Sequence, residues 1–193
     1  MYKGIKVVLD EFMGICLIII LLVPMLIIAM LVKMTSKGPI LFKQERYGIR
    51  SRKFTIYKFR TMYVETPEMS NQEFKDIDNF ITPLGKVLRK LSLDELPQLF
   101  NIVMGDMSFV GPRPLADSDI DVIYMREKNG ADKVKPGITG LAQVNGRNNI
   151  LDSEKAYFDQ IYVENLSLLN DTKIVLQTFL NVTLAKDINR KKF

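Results

Sequence analysis

From Ile15 to Val32 the chain reads ICLIIILLVPMLIIAMLV, eighteen residues without a polar interruption. Coiled as an α-helix, this run would be about 27 Å long, close to the ~30 Å hydrocarbon core of a bilayer. Signal peptides have shorter apolar cores, and Asp10 and Glu11 sit oddly in a leader's basic region. The run therefore reads as a membrane anchor. Pro24 falls near its middle, where it removes a backbone hydrogen bond and clashes with the preceding turn, so a bend or break is expected. Lys3 and Lys6 precede the run, and Lys33 and Lys37 follow it, so flanking charge selects no orientation. Two forms fit the residues: a helix that spans, and a re-entrant helix that bends at Pro24 and leaves by the face it entered.

Composition narrows the chemistry. With no His there is no Ser-His-Asp triad, no HExxH zinc site and no imidazole acid or base. The single cysteine, Cys16, lies inside the apolar run, which leaves no disulfide framework or Cys-rich metal site. Proton transfer would fall to carboxylates, Lys, Tyr or water. Net charge is +5, unevenly spread: the stretch from Lys33 to Arg60 holds nine basic residues and one acid, Glu45, so the rest of the chain sums to −3. A basic collar directly after an anchor faces anionic head groups or a phosphorylated ligand. No nucleic-acid-binding motif accompanies it, so nucleic acid is not an expected partner.

The remaining residues read as one compact cytosolic domain, giving an anchor over 1–36 and a membrane-associated catalytic domain over 37–193. Phe54 to Arg60 alternates as a short strand. Residues 65–78 look like an acidic surface loop. Ile81, Leu84, Val87, Leu88 and Leu91 recur at helical spacing and predict an amphipathic helix suited to the core or a membrane surface. Further helices are expected after Asp94, over Asp152–Asn165 and from Thr172 to about Lys186, with a frayed tail at Arg190-Lys191-Lys192. The fold class expected is α/β and mostly helical, with an N-terminal re-entrant membrane helix bent at Pro24 and amphipathic interfacial helices around a small cytosolic catalytic domain.

Three segments could carry chemistry. Ser92-Leu93-Asp94-Glu95 opens an apolar stretch, and Ser92 with Glu95 matches a capping box. The competing reading is functional. Two adjacent carboxylates at a positive helix end suit a hard cation such as Mg²⁺ bridging to a phosphate, and that end would keep Asp94 ionised, as a carboxylate nucleophile must be. Arg89, five residues upstream, is near enough to hold a phosphate. Gly111-Pro112-Arg113-Pro114 sets an arginine between two prolines, which restricts its backbone for stacking on a base or clamping an anion, or simply makes a rigid turn. Lys135 to Asn148 contains Gly137, Gly140 and Gly146, which would let backbone amides approach phosphates or sugar hydroxyls.

These segments, with Phe42-Lys43-Gln44-Glu45-Arg46, Ile56 to Met62, Leu91 to Leu99, Gly105 to Pro114, and Asn165-Leu166-Ser167 with Asp171, resemble the bacterial sugar transferases, the monotopic phosphoglycosyl transferases. The likeness covers nearly the whole chain, which looks like the minimal catalytic form. It implies transfer of a phosphosugar from a UDP-sugar to polyprenol phosphate at the cytoplasmic face of the bacterial inner membrane, with release of UMP, to start a glycan on which downstream glycosyltransferases would act. It implies Asp94 as nucleophile carrying a covalent phosphosugar, Glu95 completing an acidic dyad, and Mg²⁺ at Asp94 and Glu95 offsetting diphosphate charge. Arg89 would hold a phosphate, and Pro112, Arg113 and Pro114 would seat the uridine. Lys58, Gln143 and Arg147 would make other substrate contacts. Relatives commonly place a small polar residue before the anchor's proline, whereas this chain has Val23, which cannot bond a carbonyl freed by a kink. Two other functions fit the same residues: an anchored interaction module, and a phosphatase that hydrolyses UDP-sugar without a lipid acceptor.

Overall fold

The computed structural model describes residues 2–67, 77–146 and 150–183. Helix α1 (Tyr2–Thr35) is far longer than the apolar run, about 51 Å at 1.5 Å per residue, and its helical assignment continues unbroken through Pro24. Its buried residues are Lys6, Asp10, Gly14, Met25, Ile28 and Val32, with Leu17, Ile18 and Leu21 packed between them, so one stripe at helical spacing runs the length of the helix. At the start, Tyr2 donates to Asp171 (2.6 Å) and the Lys3 ammonium to the Lys133 carbonyl (2.5 Å). Near the end, Val32 joins Met25, Ile28, Phe59 and Leu88 in one apolar cluster. Both ends of α1 therefore rest on the same globular body. The opposite face, including Ile19, Ile20, Val23, Leu26, Ile27 and Met30, is exposed.

The body begins with an antiparallel hairpin, β1 (Leu41–Tyr47) and β2 (Lys53–Phe59), in which Phe42 faces Lys58 and Arg46 faces Phe54. The strand expected at 54–60 is β2, shifted by one residue. Helix α2 (Pro83–Lys90) starts two residues later than its apolar periodicity suggests, because Pro83 takes the first helical position and the Thr82 hydroxyl caps the Gly85 amide at 2.9 Å. Only Leu88 of its apolar set is deeply buried; Val87 and Leu91 are exposed. The short α3 (Gln98–Val103) packs against α1, where Val103 and Ile102 contact Gly14. Strand β3 (Ser108–Val110) pairs in parallel with β4 (Gly137–Thr139); between them α4 (Ile120–Asn129) packs on α6 (Asp152–Glu164). Helix α5 (Leu141–Gly146) follows β4, and α7 (Leu168–Thr183) begins four residues before the expected Thr172, with Leu168, Leu169, Val175 and Leu176 exposed. Most of the expected acidic loop, the end of the last helix and the basic tail lie outside the described residues.

The N-terminal third of α1 is held by ionic bonds rather than apolar packing. The Lys6 ammonium is 2.6 Å from Asp171 and 3.5 Å from Asp10, and all three side chains are about nine-tenths buried. Asp10 accepts from the Ser108 hydroxyl (2.6 Å), and Tyr162 shares its proton between Asp171 (2.9 Å) and the Val110 carbonyl (2.8 Å). Lys6, expected as a charge flanking the apolar run, is consumed inside the protein. Burying two carboxylates against one ammonium makes the lysine indispensable to the set. Lys6→Met, which leaves both carboxylates buried without a counter-charge, is expected to destabilise by about 3–5 kcal/mol. Asp171→Asn should cost less, and the double variant less than the two single costs together; thermal unfolding in detergent measures all three.

Candidate active site

The candidate catalytic residues sit where β2, α2 and α3 converge. Ser92 adopts a left-handed conformation (φ 56°) and its side chain caps nothing, so the capping box expected from Ser92 and Glu95 does not form. Asp94 and Glu95 instead occupy a single 3₁₀ turn, Leu93–Glu95, ahead of Leu96, Pro97 and α3. They are therefore not in the first turn of an α-helix, and a helix macrodipole does not account for the state of Asp94.

Their neighbours do. The Lys58 ammonium donates to Glu95 at 2.6 Å, in a pair with both side chains about one-quarter exposed. Burial alone would push Glu95 up, but Lys58, Arg113 and hydrogen bonds from Lys58 and Gln98 together hold it below the ordinary carboxylate range. Asp94 is shifted the other way: burial raises it, the charge of Glu95 raises it further, and Lys58 and Arg89 only partly offset the two. Adjacent carboxylates thus have opposite characters. Arg89 acts on Asp94 and Arg113 on Glu95, while Lys58 is felt by both.

Arg89 is oriented by its Nε, which donates to the Thr61 hydroxyl at 2.9 Å. The preceding residue, Arg60, is 6% exposed and donates to the carbonyl (2.8 Å) and hydroxyl (2.7 Å) of Ser36, just beyond the end of α1. Gly38 (φ 121°) lets that guanidinium lie against its backbone, where a Cβ would collide with Nη1. Arg113 is fixed from behind: its carbonyl accepts from Arg126 Nη1 (2.8 Å), and buried Arg126 is locked to Asp159 at 2.6 Å.

Lys58, Glu95, Arg113, Pro114 and Gln143 line one cleft of about 300 Å³, together with Arg46, Ile56, Gln98, Gly137 and Ile138. Asp94 and Arg89 adjoin it through Lys58 and Glu95. Pro112 turns away into a neighbouring hollow lined by Tyr47, Leu115 and Arg126, so the three residues of the Pro-Arg-Pro turn do not face one site. Arg147 lies outside the described residues. Gly137 and Gly140 answer to packing: a Cβ on either would strike Gly111, so they permit close approach of β3, β4 and the following turn rather than an exposed phosphate cradle. Sequence reasoning gave no role to Arg46, Gln98 or Thr61. The three-residue spacing of Glu95 and Gln98 was the available signal for Gln98; the alternation Phe42, Gln44, Arg46 on one face of β1 was the signal for Arg46.

No group of three or more His, Cys, Asp or Glu side chains gathers among the described residues. Asp94 and Glu95 alone would supply too few ligands to enclose a cation, so any Mg²⁺ they held would take its remaining oxygens from phosphates or water.

Comparison with known proteins identifies the family. The family model described as bacterial sugar transferase matches residues 1–185. The chain belongs to the bacterial sugar transferase family. Among similar family members is an uncharacterized sugar transferase, EpsL, of Bacillus subtilis, 42% identical over 82% of this chain and 77% of the relative. The UDP-glucose:undecaprenyl-phosphate glucose-1-phosphate transferase of Klebsiella pneumoniae is 43% identical over 91% of this chain, and the undecaprenyl-phosphate galactose phosphotransferase of Salmonella typhimurium is 37% identical over 90%. This chain spans 40% of the length of each of those two sugar transferases.

The opposed shifts of the dyad predict a stability effect. A carboxyl raised above its unfolded value costs stability once ionised, and that cost vanishes as pH falls below the unfolded value. In metal-free buffer, Asp94→Asn is expected to unfold at a higher temperature than the unsubstituted protein at pH 7, with the gap closing toward pH 4. Glu95→Gln should lower the unfolding temperature at pH 7, because Glu95 is the stabilised partner.

Proposed function

We propose that this chain transfers a sugar phosphate from a UDP-sugar to polyprenol phosphate, releasing UMP, by way of a covalent aspartyl phosphosugar. One observation carries the reading: Asp94 and Glu95 share one turn at a cleft walled by Arg46, Lys58 and Arg113, with Lys58 paired to Glu95 and Asp94 left without an ion pair among the described residues. Family membership and the activities for which the Klebsiella and Salmonella relatives are named support the same substrate classes. Those names specify glucose in one case and galactose in the other, so the sugar is left open.

In the first half-reaction an Asp94 carboxylate oxygen attacks the phosphorus attached to the sugar. A P–O bond to the nucleotide's phosphate breaks, and UMP departs with that electron pair. In the second, a phosphate oxygen of the lipid attacks the same phosphorus, the aspartyl bond breaks, and the carboxylate is restored. Arg89, oriented by Thr61, neutralises charge next to Asp94; Lys58 and Gln98 keep Glu95 ionised and fixed. Mg²⁺ held by Asp94 and Glu95 would offset diphosphate charge and stabilise the departing phosphate. Pro114 and Gln143 bound the cleft where nucleoside or sugar would rest. The lipid product would be the acceptor for later glycosyltransferases.

The substrates dictate the topology. A soluble nucleotide sugar and a lipid phosphate can meet only at head-group depth. An α1 whose two ends rest on one body keeps both ends on the cytoplasmic side, its exposed apolar face entering the membrane as a re-entrant anchor. On a Cys16→Ser background, cysteines introduced as Lys3→Cys and Lys37→Cys should both resist an impermeant thiol reagent applied to intact cells. Labelling at position 3 from outside would establish a spanning helix instead.

Asp94→Asn is expected to abolish turnover with the fold intact, since an amide is a poor nucleophile. Activity within about tenfold of normal would rule out the nucleophile, because losing a covalent route should remove several decades of rate at 1.36 kcal/mol each. Without lipid, UDP-sugar and Mg²⁺ should yield a burst of UMP no larger than the enzyme concentration. Continuous UMP release would indicate a hydrolase, and no release without lipid would indicate direct transfer.

A further inference from the structure

The cleft holds more positive charge than the dyad uses. The hairpin register places Phe42 opposite Lys58 and Arg46 opposite Phe54, so Arg46 and Lys58 share a face, and both line the cleft with Ile56. Arg113 enters the same cleft from the turn after β3. Lys58 is committed to Glu95. Neither Arg46 nor Arg113 lies within 4 Å of a carboxylate among the described residues; Arg46 Nη2 donates only to the neutral Gln44 amide oxygen. Two guanidinium groups thus face one half-buried space, each disfavouring the other. Burial and the Arg113 charge both press against protonated Arg46, with Asp119 offering partial relief. Three cations line the cleft against the single carboxylate of Glu95, leaving two positive charges in excess.

Their position matters as much as their number. Arg46 and Arg113 line the cleft together with Glu95, whereas neither Asp94 nor Arg89 lines it, so the pair is set apart from the Asp94–Arg89 end of the dyad. In a displacement at phosphorus, entering and leaving oxygens lie in line. If Asp94 enters on one side, the nucleotide's phosphate leaves on the other. In the second step the lipid's phosphate must approach Asp94-bound phosphorus from that same far side. Nucleoside monophosphate and lipid monophosphate carry the same headgroup charge, close to −2 at neutral pH, which the two excess cations match.

We infer that Arg46 and Arg113 form one phosphate monoester subsite, which holds the departing phosphate of UMP in the first half-reaction and the incoming phosphate of the lipid in the second. This inference rests on the proposed two-step transfer and adds Arg46 as a substrate-binding residue. It also makes UMP and the lipid phosphate mutually exclusive occupants of the modified enzyme.

Calorimetric titration of the full chain in detergent with UMP and, separately, with uridine tests the assignment. Arg46→Gln is expected to weaken UMP roughly 10- to 100-fold while leaving uridine within twofold, as loss of a charged hydrogen bond to phosphate requires. Arg46→Lys should recover part of the loss, since it returns the charge without the fork. In turnover assays, the UMP inhibition constant and the KM for polyprenol phosphate should rise together in Arg46→Gln. UMP affinity unchanged in that variant would overturn the subsite, as would an equal loss for uridine and UMP, which would mark a general collapse of the cleft. An unsubstituted protein that bound no UMP would overturn the proposed function itself.

Discussion

Lys6 lies between two buried carboxylates contributed by different parts of the chain, and the placement of everything else follows from it. An apolar helix alone has no reason to prefer a protein surface to lipid, because lipid tails are as apolar as leucine. Ionic bonds differ: breaking Lys6 from Asp10 and Asp171 inside a protein or near hydrocarbon leaves charges that neither medium solvates. The network therefore supplies the specificity that apolar packing lacks, fixing the first turns of α1 against β3, α6 and α7. With that end fastened and Val32 packed beside Phe59 and Leu88, the helix lies along the body, and its outward face is the one left for the membrane.

The far end of α1 reaches the catalytic turn through few residues. Arg60 grips Ser36, its neighbour Thr61 orients Arg89, and Arg89 acts on Asp94. Strand β2 carries Lys58 and ends at Phe59, one residue before Arg60, so the contact to the end of α1 and the counter-ion of Glu95 lie two residues apart on one segment. The segment that contacts the end of α1 thus also positions the cation paired with Glu95. On the other side, Arg126 and Asp159 lock the carbonyl of Arg113 from a different pair of helices. The cleft is assembled between a part fastened to the anchor and a part fastened to the α4–α6 pair.

Much of this was legible in the sequence, and the residues show where legibility ended. The apolar run, strand β2 and helix α6 follow from periodicity, which local packing rewards directly. Asp94, Glu95, Arg89, Lys58, Arg113 and Gln143 stood out as a set, and the fold brings them to one cleft or its rim. The capping box failed because Ser92 takes a left-handed conformation that turns its hydroxyl away from the following amides, a backbone state that serine spacing does not encode. Gly137 and Gly140 misled for a related reason: a glycine that admits a ligand and one that admits another backbone look alike until the partner, Gly111, is known. Lys6 read as an anchor flank because one of its counter-charges, Asp171, is 165 residues away along the chain.

The dyad's arrangement suits the nucleophilic role proposed for Asp94 in a chain without histidine. A carboxylate is a weak nucleophile when water or a close cation satisfies it. Had Lys58 paired with Asp94, its charge would have been spent on a ground-state ion pair. By pairing with Glu95 instead, Lys58 leaves Asp94 partly desolvated beside a fixed negative neighbour, which raises the free energy of its ionised form. In the proposed mechanism, forming a bond from Asp94 to phosphorus would disperse that charge and relieve the cost of ionising Asp94. The folded protein carries the cost, and the network around Lys6 and the Arg126–Asp159 bridge are among the interactions that let it do so.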